Sequence, residues 1–375
     1  MKPKKIVWLA HEANVSGANL GLKEFMQVAS HLGYKQILIL PHKGNMENAG
    51  SELKIPVKII SYYPWIRTVD SNFFDRRFVR RFIRNSLAVF QLVKIILSQN
   101  ANIIFTSTSV INIGAIASFI TFRKHIWYVH EMGEEDFGFK LPWGKWSYRF
   151  MNFFSKKILA NSYHLAKKYK DRLPSIKINV IRYPVFVNTN YTPVEWNVSQ
   201  PVRLLIIGQI AETKGHLIAI EALKILIAEG FDVRLKIIGK CEDPAYMQRL
   251  ADKIRHHQLE EFVLFEKFTN SPHKSIADHH ILLMCSKCEA FGRVTVEAMK
   301  LGVPVVGANT CGTIEIIKQD QTGLLFQQGN IQSLADKISI IIKDRNLREK
   351  LIINAKIYAN QISNETPMAS LLQQI

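Results

Sequence analysis

Residues Met284 to Val306 read MCSKCEAFGRVTVEAMKLGVPVV, and this stretch decides how the rest of the chain is read. The apolar run ending at Met284 predicts a strand, and Phe291-Gly292 marks a loop turning into a helix. Gly302 then stops that helix, and Val303-Pro304-Val305-Val306 starts a second strand. Strand, loop, helix and strand form a unit of a parallel α/β sheet, which opens a crevice at the carboxyl ends of its strands. Glu289 stands in the loop and Glu297 inside the helix. Ionised carboxylates only accept hydrogen bonds, so the pair suits hydroxyl-rich groups such as ribose and a hexose. The backbone amides of Gly292, Arg293 and Val294, at the helix start, suit a phosphate.

The chain around this stretch has 375 residues, enough for two domains with separate cores. Its 47% hydrophobic and 21% charged content exclude a disordered chain. No apolar run reaches the ~18 residues of a membrane span; the longest, near residues 110–122, is interrupted by Asn112, Gly114 and Ser118. Lys2, Lys4 and Lys5 lead into a strand followed by His11 and Glu12, which is not a secretory signal. Four cysteines, Cys241, Cys285, Cys288 and Cys311, predict a reducing, cytoplasmic setting without a disulfide framework. Cys285-Ser286-Lys287-Cys288 spells C-x-x-C, but no second pair or histidine cluster stands at zinc spacing, so no metal site is expected.

Charge is unevenly spread. Residues 1–187 hold 28 Lys+Arg against 11 Asp+Glu, a net +17, whereas residues 188–375 hold 21 against 20, a net +1. The asymmetry predicts an anionic partner for the first half, with an anionic membrane surface or nucleic acid the two classes to weigh. No nucleic-acid-binding module is recognisable, so nucleic acid is not expected. Residues 70–97 sharpen the membrane reading. Phe74, Phe78 and Phe82, then Val89, Val93 and Leu97, recur every four residues beside Arg76, Arg77, Arg80, Arg81 and Arg84. This pattern fits a domain helix with a solvated basic face, and equally a helix lying in a membrane interface, with Tyr62, Tyr63 and Trp65 just before it.

The remaining pattern alternates strands and helices. Residues 5–10 predict a strand, followed by a loop with Gly17 and a helix over 18–32. Strands are expected at 36–40, 102–106, 125–129, 157–160 and 179–181. The strand at 125–129 runs into His130-Glu131, where an α/β fold places working residues; Glu131 also belongs to an acidic cluster suited to orienting an acceptor or offsetting nearby lysines. A polar stretch at 188–201 with Pro193 and Pro201 is the expected linker. The second half opens with a strand ending at Gly208, then Gln209, then Lys214-Gly215 at the start of a helix, where charge and helix dipole together suit a pyrophosphate. The next strand ends at Gly239, where a nucleotide could approach closely.

The Glu289 and Glu297 pair with Phe291-Gly292 between, followed by Glu297-Ala298-Met299 and Gly302-Val303-Pro304-Val305, resembles the signature of retaining glycosyltransferases of family four. Lys214-Gly215 fits that family's glycine, arginine, lysine-glycine pattern, except that Gln209 stands where an arginine is usual; Arg293 is the residue expected to compensate. The resemblance implies a GT-B fold: two Rossmann-like α/β domains facing a cleft, with a C-terminal helix crossing back to the first. The expected boundaries are 1–187 for the acceptor domain, 188–355 for the donor domain and 356–375 for the returning helix. It implies transfer of a sugar from a nucleotide-sugar donor, UDP- or GDP-linked, to a glycan or lipid-linked acceptor, with retention and without a metal or other cofactor. Carried onto this chain, the donor's diphosphate falls to Lys214 and the Gly292 amides, ribose to Glu297 and sugar hydroxyls to Glu289. His130 would face the transferred sugar, with Gly17 bordering the acceptor side. The rival from another class is a nucleotide-sugar-binding protein of this shape that has lost transfer.

Overall fold

The computed structural model describes residues 4–68, 76–197, 199–269 and 271–375, with side chains omitted at 68 and 76–79. The chain divides into two compact units, one of residues 1–184 with 364–375, the other of residues 185–363. The expected boundaries at 187 and 355 therefore move. The difference matters most at the C-terminal end, where one unbroken helix, Arg345–Ile362, stays with the second unit and only the short helix Thr366–Gln374 joins the first.

Unit 1 is built on a seven-stranded sheet, entirely parallel. Its spatial order is Val57–Ile59, Lys35–Leu40, Lys5–Leu9, Ile103–Ser107, Lys124–Val129, Lys157–Ala160 and Ile178–Val180. Strands such as Ile103–Ser107 are buried throughout, as sheets covered by helices on both faces require. Side-chain caps set the helix starts. Ser16 accepts from the Asn19 amide to open Gly17–His31, and Ser162 accepts from the Leu165 amide to open Tyr163–Arg172. The helix Thr366–Gln374 packs on Gly17–His31, and the Tyr34 hydroxyl donates to the Leu372 carbonyl at 2.6 Å.

Unit 2 repeats the plan with six parallel strands, ordered Val263–Glu266, Val233–Ile238, Val202–Ile207, Ile281–Met284, Val305–Ala308 and Leu324–Phe326. Its core gathers Leu204, Ile206, Leu223, Leu235 and Ile237 with Leu334 and Ile338 from the helix Ile331–Lys343. In both units the strand order reverses beside the first strand. The reversal in unit 1 lies between Lys5–Leu9 and Ile103–Ser107, and in unit 2 between Val202–Ile207 and Ile281–Met284. At such switch points the strand order reverses, and a ligand crevice opens outside the carboxyl ends of the two strands.

The amphipathic prediction for residues 70–97 needs correction. A helix spans Arg76–Ser98, but its core face is Ala88, Val89, Leu92 and Ile96, whereas Phe82 and Leu97 are exposed. Phe74 and the side chains of Phe78, Arg76 and Arg77 lie outside the described residues. Of the aromatic residues before the helix, Tyr62 is enclosed and Tyr63 and Trp65 are half-buried. Tyr62 is buried with its hydroxyl on the Ala10 carbonyl, and Trp65 packs on Trp127, Trp143 and Phe150. Among the described residues no helix is long and apolar enough to cross a membrane.

Candidate active site

In unit 2 the two loops at the switch point meet. The strand Val202–Ile207 ends at Gly208 and passes through exposed Gln209 to a short turn, Glu212–Lys214, capped by Gly215 in the left-handed region at φ 74°. A Cβ on Gly215 would sit 2.2 Å from the Cys285 carbonyl oxygen, so only glycine lets this loop press against the one leaving Ile281–Met284. The Lys287 amide donates to the Thr213 carbonyl at 2.8 Å and ties the two loops by their backbones. The Lys214 ammonium then reaches Glu289 Oε1 at 2.5 Å, and Ser286 Oγ donates to the same oxygen at 2.7 Å. Both charged side chains remain partly exposed, so this is a pair open to exchange with a ligand.

The second glutamate is placed differently. Gly292, at φ 80°, turns the chain into the helix Arg293–Leu301, and Gly302, at φ 84°, ends it as the sequence predicts. Glu297 faces inward and is only 2% exposed. Arg293 Nε donates to its Oε1 at 2.7 Å, with His273 Nε2 3.9 Å away. Burial works against ionisation of Glu297, but Arg293 and His273 outweigh it and hold the carboxyl below its ordinary range. Arg293, expected to compensate for the arginine missing at Gln209, has its Nε on Glu297, one helical turn on. The Gly292, Arg293 and Val294 amides belong to the first turn, whose hydrogen bond runs from the Thr295 amide to the Gly292 carbonyl at 3.0 Å. Phe291 is buried, and Gly239 closes the neighbouring strand with its amide on the Glu266 carbonyl at 3.0 Å.

Cys288, next to Glu289, is bonded to Cys311 in the loop after Val305–Ala308, with Cα atoms 5.3 Å apart. The cysteine count predicted no disulfide; it could not register that adjacent strands bring the two loops together. The C-x-x-C spacing is incidental, since Cys285 is a separate thiol that burial pushes up to about 12. The link spans 23 residues. Cys311→Ser is expected to lower the stability of unit 2 by about 3 kcal/mol, the loop-closure value for that span. Urea unfolding of oxidised wild type and variant checks it, and equal midpoints would show that the link is unformed in solution.

Unit 1 carries its own cluster at its switch point. His130 and Glu131 follow the strand Lys124–Val129, and Glu131 is 6% exposed, turned inward. It accepts from the Ser109 amide at 3.0 Å, from Ser109 Oγ at 2.8 Å and from Thr108 Oγ1. His130 Nε2 lies 3.0 Å from Oε1, the oxygen that accepts from Thr108. The oxygens of Glu131, expected to orient an acceptor or offset nearby lysines, are engaged by the protein's own groups. His11 stacks obliquely on His130 with ring centroids 5.9 Å apart. His130 Nδ1 is buried without a hydrogen-bond partner among the described residues, which leaves one ring nitrogen available. Gly17 is exposed at the first turn of Gly17–His31. His11, Thr108, Ser109, Ser286 and His273 were not found from the sequence; a histidine or hydroxyl just past a switch-point strand is the signal that could have found the first three.

Residues 193–358 match the family model for glycosyl transferases group 1. The second unit is a group 1 glycosyl transferase domain. The transferase domain includes every donor-side residue named above, from Gly208 to Glu297. Curated relatives include the capsular polysaccharide biosynthesis glycosyltransferase CapM of Staphylococcus aureus, 29% identical over 40% of this chain and 39% of CapM. Another is the N-acetyl-alpha-D-glucosaminyl L-malate synthase of Bacillus anthracis, 26% identical over 52% of this chain and 51% of the synthase. The chain thus spans about half or less of the length of these relatives. Among solved structures, Anabaena Alr3699/HepE in complex with UDP and glucose matches with a TM-score of 0.81 at 22% identity, over 99% of this chain and 98% of that one. Staphylococcus aureus TarM, in complex with fondaparinux, alpha-GlcNAc-glycerol and UDP, matches at 0.76 and 15%, over 99% of each chain. Both likenesses extend beyond the transferase domain and show the fold of the whole chain, the GT-B fold.

Proposed function

We propose that the chain transfers a sugar from a nucleotide-sugar donor, UDP- or GDP-linked, to a glycan or lipid-linked acceptor in surface polysaccharide assembly, with retention of anomeric configuration. The observation that carries this reading is the Lys214–Glu289 pair, held at the carboxyl ends of the two strands that flank the unit 2 switch point. The donor's diphosphate takes the ammonium, which has three protons to give, and Glu289 turns to accept the sugar's hydroxyls. Glu297, kept ionised by Arg293, serves the ribose. Positive charge on Lys214 and the amides of residues 292–294 offset the charge growing on the leaving diphosphate, the work a divalent metal does elsewhere. In unit 1, the unpartnered Nδ1 of His130 suits a sugar hydroxyl. The relatives' names in capsule and polysaccharide synthesis support the acceptor class, and the basic first half supports an acceptor held at an anionic membrane surface.

The test is a panel of UDP-, GDP- and ADP-sugars with a lipid-linked glycan acceptor, followed by NMR of the product's anomeric linkage. One donor is expected to turn over with retention, at a rate indifferent to EDTA. An inverted linkage would refute retention, and loss of activity with chelator would refute metal independence. The second reading, a binding protein without transfer, is favoured by one observation: uncharged Gln209 stands on the loop that bears Lys214. Binding of a nucleotide-sugar in calorimetry with neither transfer nor hydrolysis would establish it instead.

A further inference from the structure

We propose that unit 1 seats on anionic lipid through one face formed by three helices, Arg76–Ser98, Ile113–Ile120 and Lys145–Phe154. This gives the membrane reading above its surface, and it does not depend on the transfer chemistry.

The first helix is apolar on two sides. Its core side is Ala88, Val89, Leu92 and Ile96. Roughly opposite, Ile83, Leu87, Phe90 and Leu97 form a second stripe, each more than half exposed, with Lys94 set within it over the Phe90 ring at 4.4 Å. A stripe inside the core needs no further partner; an equally apolar stripe left outside does. The neighbouring helices extend the same surface. The helix Ile113–Ile120 packs on the first and exposes Phe119 and Ile120, and Phe122 follows, 93% exposed. Phe119 meets Phe154 edge-on at 4.9 Å and Phe153 at 6.0 Å, which joins this patch to the third helix, where Phe153 and Trp146 stand exposed. Arg149 lies over the Trp146 ring at 4.5 Å, a cation held at the base of an aromatic.

Charge selects the occupant. Residues 76–130 contain eight Lys+Arg and no Asp or Glu, and residues 137–170 contain another eight with none. Exposed Arg80, Arg81, Lys94, Lys124, Lys145 and Arg149 accordingly border the apolar positions without a single carboxylate on these three helices. A second copy of the chain would bring like charge against like. An anionic lipid surface offers hydrocarbon for the aromatics and phosphate for the cations, the combination that holds interfacial helices in place.

The experiment is co-sedimentation of the full chain with vesicles of phosphatidylcholine alone or with about one third phosphatidylglycerol. Wild type is expected to bind the anionic vesicles at least about tenfold more tightly, an effect that raised salt diminishes. Leu87→Glu with Phe90→Glu is expected to lower that binding about tenfold or more while leaving the melting temperature and soluble donor turnover unchanged. Should that variant fail to fold, Arg81→Glu with Lys94→Glu tests the same face by charge alone. Equal binding to both vesicle types, or undiminished binding by a folded variant, overturns the proposal. A wild-type dimer that these substitutions dissociate, with no binding to lipid, assigns the face to a second copy and overturns it too. Failure of the donor panel leaves this measurement untouched, so the two readings fail separately.

Discussion

Replacing Lys214 by alanine is expected to lower kcat for sugar transfer by about 10²–10³-fold, the loss usual for removing one preorganised electrostatic contact. The ammonium is preorganised here in a definite sense. Its turn is capped by left-handed Gly215, pressed against the Cys285 carbonyl and tied to Lys287, so the charge stands ready before a donor arrives. Charge on the diphosphate grows as the glycosidic bond breaks, and an interaction that strengthens along that path acts on kcat more than on KM. Lys214→Arg keeps the charge but brings a planar fork to a site built around a point contact with Glu289 and Ser286, so partial activity is expected. The fold is not at stake, because Glu289 keeps its bond from Ser286 and some solvent when the lysine is lost. Steady-state kinetics with the donor found by the panel check the outcome, and a variant of unaltered kcat/KM would remove Lys214 from the chemistry.

What made this site legible was local. Gly292 and Gly302 bracket their helix as the sequence predicts, because left-handed backbone selects glycine wherever it occurs. Buried parallel strands such as Ile281–Met284 betray themselves by continuous apolar runs. Pairings across long separations were not legible. Lys214 and Glu289 are 75 residues apart, and their contact exists because two strands distant in sequence are neighbours in the sheet. The same holds for Cys288 and Cys311, and for Glu131 with Ser109. Identity also misled where burial decides the role. Tyr62 reads as an interfacial aromatic but is enclosed in the core, and Trp65 is half-buried against Trp127, whereas Phe90 and Leu87, within a helix that satisfied its periodicity with other residues, stayed outside. The helix Lys145–Phe154 escaped notice because it begins at left-handed Gly144 with no side-chain cap.

Glu131→Ala is expected to destabilise unit 1 by roughly 3–5 kcal/mol, the range for breaking a buried ion pair by removing one partner. The carboxylate is the common acceptor for Thr108, the Ser109 amide and hydroxyl, and the His130 imidazole, so its loss leaves several buried donors without an acceptor at once. Burial opposes its charge, but His130, then His11 and Thr108, hold the carboxyl far below the usual carboxylate range. A group whose folded pKa is depressed contributes stability that is complete above its unfolded value, about 4.3, and is lost as pH falls through the folded one. The gap between wild type and Glu131→Gln, which cannot titrate, should therefore be full at pH 7 and narrow only below about pH 4. Urea unfolding across that window measures both, and a gap that stays constant at every pH would mean that folding leaves the Glu131 pKa unshifted. Because His130 sits against this carboxylate, the same substitution reaches a ring nitrogen, His130 Nδ1, that has no hydrogen-bond partner among the described residues.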